Sequence, residues 1–204
     1  LGKKIELVLE GSDTELDRQM IDLLRDPLTH IIRNCVDHGI EAPKERIAAG
    51  KPDHGTITIA ASHEAGHIML TIADDGWGLD IERIREKALA LGLGAAEELA
   101  QMSQEDLCRF IFSPGFSTAK NVTKVSGRGV GMDVVRENIE SIGGAVTLST
   151  ARGRGTTFNI KVPLTLAIAP ALIFEVGGQR FAIAQHAVVE AVTCGEGGQS
   201  FIQN

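Results

Sequence analysis

The order of strand-like and helix-like patterns most restricts the fold of this 204-residue sequence. Residues 4–9 alternate as a strand does, and apolar residues then recur at helical spacing from about 14 to 38, with a break or kink near Pro27. The remaining predictions are helices at 43–49, 80–91, 103–112 and 132–142, and strands at 56–61, 68–73, 145–150 and 156–162. Because no strict βαβ rhythm appears, the pattern favours an α+β fold, a two-layer α/β sandwich with helices over one face of a mixed sheet.

A boundary is predicted at Pro163. Beyond it, "ALIFEV" and "QRFAIA" are alternating runs joined by Gly177 and Gly178, a pair typical of a tight hairpin turn. Helical patterns end here, and about forty residues are too few for a robust independent core. We therefore divide the chain into a first domain, residues 1–162, and the truncated start of an all-β domain, residues 163–204.

Composition excludes several classes of function. The net charge of −7, with scattered lysines and arginines, argues against a nucleic-acid partner. The longest uncharged apolar stretch, residues 163–174, contains two prolines and is too short for direct membrane insertion. Cys35, Cys108 and Cys194 lack metal-site spacing and are expected to be free buried thiols of a reducing compartment. Without an initiator methionine or a signal peptide, the chain is expected to be a cytoplasmic piece of a longer protein.

The stretch "HIIRNCVDHG", residues 30–39, carries unusual polar residues on one side of a predicted helix. At 100° per residue they fall within an arc of about 140°, and they are His30, Arg33, Asn34, Asp37 and His38. A solvated helix face is the simpler interpretation. Such faces usually carry Lys and Glu, however, whereas this set suits metal coordination and phosphate binding. An asparagine oxygen is a hard ligand of the kind Mg²⁺ prefers.

The stretch "TIADDGWGLD", residues 71–80, is a strand followed by Asp-Asp-Gly-x-Gly. A turn alone explains the Asp-Gly pair. Alternatively, a carboxylate at a strand end, beside glycines that admit a flat ligand, can accept a hydrogen bond from an amino group such as that of adenine.

Two glycine-containing stretches complete the set of motifs. "GRGVGMDVV", residues 127–135, is neither a Walker loop nor a dinucleotide fingerprint. Its glycines lead into a helix N-terminus, an arrangement that binds anions. "GRGTTF", residues 153–158, joins a turn to the last strand of the first domain, and a hairpin would explain it equally well.

In this order, the four stretches resemble the N, G1, G2 and G3 boxes of the GHKL ATPase superfamily. "DPLTHIIRNCVDHGIE", "FSPGFSTAKNVTKVSGRGVGMDVV" and "GTTFNIKVPLTLAI" further resemble the chemotaxis histidine kinases of the CheA family, over essentially the whole chain. The resemblance implies a GHKL (Bergerat) ATP-binding kinase domain in residues 1–162. It implies the beginning of an SH3-like, CheW-like regulatory domain in residues 163–204.

The resemblance also implies roles for individual residues. Asn34 would coordinate Mg²⁺, His38 would support the metal or the phosphates, and His30 and Arg33 would face the triphosphate. Asp74 would receive the adenine amino group. The other implied nucleotide-binding residues are Asp37, Gly76, Gly78, Phe112, Phe116, Lys124, Gly127, Arg128, Gly129, Val130, Gly131, Met132 and Thr156.

Several of these residues have specific expected functions. Gly76 and Gly78 would make room for the adenine ring, and Thr156 would join Asp74 at adenine through ordered water. Gly127, Gly129 and Gly131 would wrap the phosphates. Phe112 and Phe116 resemble the F box that anchors a mobile ATP lid, residues 113–126. Lys120 and Lys124 would reach phosphate from that lid, although solvated loop lysines are an equally good interpretation.

One departure from the superfamily concerns mechanism. Hydrolysing members place a glutamate in the N-box helix to activate water, and here His30 occupies the corresponding position. A neutral imidazole acceptor is already nucleophilic, so positioning plus Mg²⁺ can do most of the work. We therefore expect ATP-dependent phosphoryl transfer to a histidine rather than hydrolysis.

The family's partners define further expectations. The acceptor would be a phosphotransfer histidine domain of the same kinase, and a response regulator would act downstream. A CheW-type adaptor and chemoreceptors would engage the C-terminal part. The full-length protein would be a homodimer, whereas the missing dimerisation helices favour a monomeric fragment that binds ATP without phosphorylating itself. Two alternatives remain open: an ATPase clamp of the gyrase or MutL kind, and a non-catalytic adaptor-binding module.

Overall fold

The computed structural model describes residues 2–116, 131–164, 171–184 and 188. The chain divides into two compact units, Leu1–Leu166 and Ala167–Asn204. None of the helices in the described residues is long and apolar enough to cross a membrane.

The first unit contains a five-stranded sheet in the order β1-β2-β3-β5-β4. Its strands are β1 (Ile5–Glu10), β2 (Gly55–Glu64), β3 (His67–Asp74), β4 (Ala145–Ala151) and β5 (Gly155–Pro163). β1 runs parallel to β2, and the other neighbours are antiparallel. The predicted mixed sheet is therefore confirmed. β5 continues to Pro163, which pairs with His67 of β3. The predicted boundary after residue 162 therefore falls inside this strand, one residue before its end.

Helices cover one face of this sheet. They are α1 (Arg18–Asn34), α2 (Pro43–Ala48), α3 (Ile81–Ala90), α4 (Ala96–Gln101), α5 (Gln104–Arg109) and α6 (Met132–Ser141), with a π-helical turn at Cys35–Gly39 and a 3₁₀ turn at Phe110–Phe112. Alternate residues of β3 and β5 are buried, as expected for strands with one covered face. Ile72 and Ile160 pack there in one core with Ile31 of α1 and Ile139 of α6. The predicted α+β two-layer arrangement is confirmed.

The structure corrects the first helix. α1 begins at Arg18 rather than near residue 14, because Asp17 caps it by accepting a hydrogen bond from the Gln19 amide at 2.7 Å. Thr14 belongs to the preceding turn, in which its amide donates to the Gly11 carbonyl at 3.0 Å. α1 does not break at Pro27 but continues through this buried proline, and the alternative prediction of a kink stays a prediction.

The other helix predictions hold, with one omission. Asp80 caps α3 as predicted, and its carboxylate accepts from the Arg83 amide at 3.2 Å. α4 was not predicted, because its six residues are too few to show a period. Cys35 and Cys108 are free and buried, as expected, and Cys194 lies outside the described residues.

The second unit contains the predicted hairpin. β6 (Ala171–Val176) pairs antiparallel with β7 (Gln179–Ala184), and Val176 lies opposite Gln179. Gly177 and Gly178 both have positive φ, at 60° and 78°, as a two-residue type I′ turn requires. An SH3-like domain around this hairpin remains a prediction.

Candidate functional site

Asp74 stands at the last position of β3, and its side chain is buried beneath the helical layer. The Gly76 amide donates a hydrogen bond to its Oδ1 at 2.9 Å. Burial is the main influence on the group and raises the pKa of Asp74, although the Gly76 amide, the Cys35 thiol and the Thr156 amide oppose the rise. The result is a desolvated carboxylate at the end of a strand.

Close backbone packing surrounds this carboxylate. A side chain at Gly76 would place its Cβ 2.0 Å from the Gly39 carbonyl oxygen, and one at Gly39 would lie 2.9 Å from Asp74 Oδ2. The Trp77 amide donates to the same Gly39 carbonyl at 3.0 Å. Glycine at 76 therefore lets the Asp-Asp-Gly turn touch the end of the N-box segment, a packing role that the sequence did not predict. Gly78 has a φ of +71°, and a Cβ added there would lie 2.4 Å from the Ala151 carbonyl oxygen.

Thr156 lies directly opposite Asp74 in the β3–β5 register and is buried. The alternating burial of both strands fixes this register, because a one-residue slip of one strand would turn its apolar residues to the opposite face. The Thr156 hydroxyl is 3.2 Å from the hydroxyl of Thr150, which also donates to the Gly155 carbonyl and accepts from the Leu79 amide, each at 2.9 Å. Thr150 is thus a supporting residue that sequence reasoning missed.

The N-box residues form a more open part of the site. His30 and Asn34 are half-buried, whereas Arg33, Asp37 and His38 are exposed. Burial, and then the charge of Arg33, lower the pKa of His30, while Asp133 of α6 acts in the opposite direction. The imidazole is therefore neutral near pH 7.

Asn34 connects the N box to the start of α6. Its amide nitrogen donates to Met132 Sδ at 3.3 Å, which leaves the amide oxygen available to a hard cation. Met132 is the first residue of α6, and Gly131 is its N-cap. The structure thus brings the end of the glycine-rich stretch to the N box, as predicted.

The α-helix predicted for residues 30–38 ends at Asn34, so the predicted arc of polar residues applies only up to that residue. Cys35–Gly39 forms a π-helical turn, in which the Ile40 amide donates to the Cys35 carbonyl five residues back at 2.8 Å. Asp37 and His38 therefore do not follow the 100° spacing of an α-helix. The Lys3 ammonium supports this turn by donating to the Val36 and Asp37 carbonyls at 2.7 and 2.9 Å.

A charged network that the sequence did not reveal lies beside Asp74. Arg46 binds the Asp75 carboxylate with two nitrogens, at 3.0 and 2.8 Å, and Glu41 at 2.8 Å. Lys51 binds the other oxygen of Glu41 at 2.7 Å. The Glu41 and Arg46 side chains are at most 1% exposed. The only sequence signal was the second acid of the Asp-Asp pair, which has a structural partner rather than a place beside Asp74.

The two phenylalanines of the predicted F box are buried. Phe112 belongs to the main core, and Phe116 packs in a second cluster with Ile84, Leu99 and others. The Lys87 ammonium lies over the Phe116 ring, 5.4 Å from its centre. Both rings thus hold the chain that leads toward the predicted lid. Six further predicted residues lie outside the described residues: Lys120, Lys124, Gly127, Arg128, Gly129 and Val130.

Comparison with known proteins identifies the family. The profile of the histidine kinase-, DNA gyrase B-, and HSP90-like ATPases matches residues 24–166. The chain is 47% identical over 192 residues to the chemotaxis protein CheA of Salmonella typhimurium, covering 94% of this chain and 28% of that protein. It is 45% identical over 190 residues to the CheA protein of Bacillus subtilis, covering 93% and 28%.

A relative from Halobacterium salinarum, also a chemotaxis protein CheA, is 45% identical over 181 residues, covering 89% of this chain and 27% of the relative. The chain thus spans a little over a quarter of the length of these relatives. The strand-end carboxylate, the N-box helix and the family profile over most of the first unit agree with the resemblance drawn from the motifs. This chain belongs to the histidine kinase-, DNA gyrase B- and HSP90-like ATPase family.

Proposed function

We propose that the first unit is the ATP-binding catalytic domain of a chemotaxis sensor histidine kinase, which transfers the γ-phosphate of ATP to a histidine on a separate phosphotransfer domain. The observation that carries this proposal is the buried Asp74 carboxylate, which lies at the end of β3 against the last residue of the N-box segment, Gly39. The names and identities of the CheA relatives support the chemotaxis assignment.

The Asp74 carboxylate is suited to the adenine amino group. An ionised carboxylate offers about four acceptor positions. The Gly76 amide occupies one of them, and the Cys35 thiol and the Thr156 amide also favour the ionised form, which leaves capacity for a further donor. Because the group is desolvated, an incoming N–H gains a strong charge-assisted hydrogen bond. The buried Thr156 hydroxyl lies beside it and would join the recognition of the base.

Asn34 and His38 would hold Mg²⁺ with the phosphates. Among the described residues, no group of three or more His, Cys, Asp or Glu side chains forms a metal cluster. Mg²⁺ commonly takes one or two protein ligands and completes its shell with waters and phosphate oxygens, so a single asparagine oxygen fits its needs. When bound, Mg²⁺ neutralises phosphate charge and orients the terminal phosphoryl group.

The state of His30 favours transfer over hydrolysis. Its imidazole is half-buried, and its lowered pKa keeps it neutral, so it adds no charge beside the triphosphate, whereas the glutamate of hydrolysing members would add a negative one. Arg33, one turn along the same helix, supplies a permanent positive charge toward the phosphates. The two residues together would orient the γ-phosphate toward an incoming histidine acceptor.

The wider setting follows from the same assignment. The phosphotransfer histidine domain would belong to the same kinase, and a response regulator would receive the phosphoryl group. The hairpin of the second unit would belong to a CheW-like domain that engages a CheW-type adaptor and chemoreceptors. The full-length protein would be a cytoplasmic homodimer.

Radiolabelled ATP tests the proposal directly. The 204-residue chain is incubated with γ-labelled Mg·ATP, alone and with a purified CheA phosphotransfer domain. We expect label on the added domain only, and none when its acceptor histidine is replaced by glutamine. Label on this chain alone, or steady-state hydrolysis faster than transfer, would contradict the proposal.

Trp77 provides an independent binding assay. It is the only tryptophan and is 47% exposed within the Asp-Asp-Gly motif. Its fluorescence should therefore change on addition of Mg·ATP. An unchanged signal at saturating nucleotide would count against the assigned site.

A further inference from the structure

Lys51 connects the charged network to the backbone that follows Asp74. Its ammonium donates to the Asp75 carbonyl at 2.7 Å, to the Gly76 carbonyl at 2.8 Å and to Glu41 Oε1 at 2.7 Å. These three acceptors use all three of its protons. Lys51 therefore holds two consecutive carbonyls immediately beyond the strand-end carboxylate.

One peptide group links Lys51 to Asp74. The carbonyl of the Asp75–Gly76 peptide accepts from Lys51, and the N–H of that same peptide donates to Asp74 Oδ1 at 2.9 Å. A cation at the carbonyl end polarises the peptide and makes its N–H a stronger donor. The lysine thereby acts on the orientation and charge of Asp74 without touching it.

The network holds Lys51 in one place. Glu41 is fully buried and pairs with both Arg46 and Lys51. Burial raises the pKa of Glu41, but hydrogen bonds from Lys51 and Arg46 outweigh that effect and leave it below its usual value. Two cations and two carboxylates balance, counting Asp75, so each charge has an opposite partner.

The backbone at the end of α2 places Lys51 in this position. Gly50 has a φ of +75°, its amide donates to the Ile47 carbonyl at 3.0 Å, and the Lys51 amide donates to the Arg46 carbonyl at 2.9 Å. This is a Schellman motif, which reverses the chain after the helix. The reversal directs Lys51 back toward the Asp-Asp-Gly turn.

We propose that Lys51 is a positioning residue for nucleotide recognition, which holds the Asp75–Gly76 peptide so that its N–H orients the Asp74 carboxylate toward the adenine amino group. The proposal rests on the proposed function of Asp74 as the adenine acceptor. It adds a residue in a different element, beyond the four motifs, that sets nucleotide affinity.

The test compares Lys51→Met with the wild-type chain. Calorimetric titration with a non-hydrolysable ATP analogue and Mg²⁺, from pH 5 to pH 8, gives affinity and its pH dependence. We expect Lys51→Met to bind about tenfold more weakly, the usual effect of losing a hydrogen bond to a charged group. Lys44→Met, which removes an exposed lysine of α2, should bind like wild type.

The pH profile separates positioning from simple stabilisation. The groups that face Asp74 are Cys35 from the π-helical turn, Asp75 and Gly76 from the turn after β3, and Thr156 from β5. Without the Lys51 charge, Asp74 should protonate more readily, so the acid limb of nucleotide binding should move to higher pH. A purely structural lysine would lower the melting temperature and leave that limb in place.

Each outcome decides something. If wild type fails to bind the analogue, the proposed function itself fails. If wild type binds and Lys51→Met matches it in affinity and pH profile, only the positioning role is overturned. Should Lys51→Met fail to fold by circular dichroism, Lys51→Gln, which keeps an uncharged NH₂ donor, takes its place with the same criteria. Lys51→Arg, which keeps the charge, should recover the wild-type acid limb.

Discussion

The two ends of the candidate site are built differently. At the adenine end, Asp74 and Thr156 are 6% and 5% exposed and sit on neighbouring strands held by a continuous ladder. At the phosphate end, His30 and Asn34 are half-buried on α1, while Arg33 and His38 are exposed. The adenine end is therefore organised before any ligand arrives, whereas the phosphate end has side chains that water still reaches.

Charge explains this division. A buried carboxylate is costly unless donors surround it, so Asp74 requires the Gly76, Thr156 and Cys35 groups and the network behind them. The phosphate-end groups keep much of their hydration and need fewer protein partners. Specificity for the base should therefore depend on buried, rigid structure, and phosphate binding on groups that complete their contacts with the ligand.

Asp74→Asn, a change at the adenine end, should have the largest effect on nucleotide affinity. In one orientation, the asparagine NH₂ group faces the adenine amino group, which needs an acceptor. In the other orientation, the NH₂ group faces the Gly76 amide, and that hydrogen bond is lost. Either loss in a buried site weakens nucleotide binding by about a hundredfold. Titration of Trp77 fluorescence with Mg·ATP measures the change.

Asp22→Asn is the matched control, because Asp22 is an exposed aspartate on the outer side of α1. It should bind nucleotide as wild type does. Equal binding by Asp74→Asn and Asp22→Asn would show that the buried carboxylate does not recognise the base.

Asn34→Ala should change binding at the phosphate end without changing binding at the adenine end. It removes the proposed Mg²⁺ ligand and the bond to Met132, but leaves the buried adenine contacts in place. We expect the gain in ATP affinity that Mg²⁺ confers to fall by about tenfold, with adenosine binding unchanged. Calorimetry with and without Mg²⁺ measures both quantities.

The control for that variant is Asn138→Ala, an exposed asparagine on α6. It should retain the full Mg²⁺ effect. A parallel loss of adenosine binding in Asn34→Ala would mean that the two ends are not independent.

A lower pH should increase the contribution of Asp74 to the free energy of unfolding and decrease nucleotide affinity at the adenine end. Because burial raises the folded-state pKa of Asp74, its stabilising contribution is present at low pH and is lost as pH rises through that pKa. Nucleotide binding requires the ionised form, so affinity should fall as pH decreases through the same raised pKa. Binding and unfolding titrations from pH 4 to pH 8 measure both trends.

Asp74→Asn isolates that group. The difference in free energy of unfolding between wild type and Asp74→Asn should shift in favour of wild type as pH falls. If the difference is independent of pH, the carboxylate is not desolvated in solution.

Gly50→Ala should have the smallest effect and concerns the support of the adenine end. Gly50 and Gly92 both end helices at positive φ, with no atom within 4 Å of an added Cβ, so alanine costs about 1 kcal/mol of stability at either position. Only Gly50 precedes Lys51. Gly50→Ala should therefore also weaken nucleotide binding, whereas Gly92→Ala should not, and thermal unfolding with calorimetry distinguishes them.

Local patterns predicted most of the fold. The hairpin at Gly177–Gly178, the Asp80 cap and the five strands of the first sheet follow from turn chemistry, capping and alternation, which act within a few residues. The predicted start of α1 was wrong, and the helix does not break at Pro27. A capping aspartate and the burial of Pro27 by tertiary packing outweighed the local signals there.

The candidate site was predictable only where its residues carry their chemistry in a motif. Asn34, Asp74 and Thr156 were identified from such stretches, and the structure places Thr156 opposite Asp74. Cys35 and Thr150 were missed, because a thiol in an apolar stripe and a threonine at a strand end have no distinctive local pattern.

The family, the mixed α+β fold and the candidate site residues could be predicted from the residues alone, since these predictions depend on periodicity, turn residues and motif order. Which charged groups lie behind the Asp-Asp-Gly turn became evident only from the packing of the folded chain. Glu41, Arg46 and Lys51 lie 23 to 33 positions before Asp74, and burial pairs their charges with the Asp-Asp-Gly turn. Such pairing depends on which charges are removed from water together, and that is set by packing between elements rather than by any local run of residues.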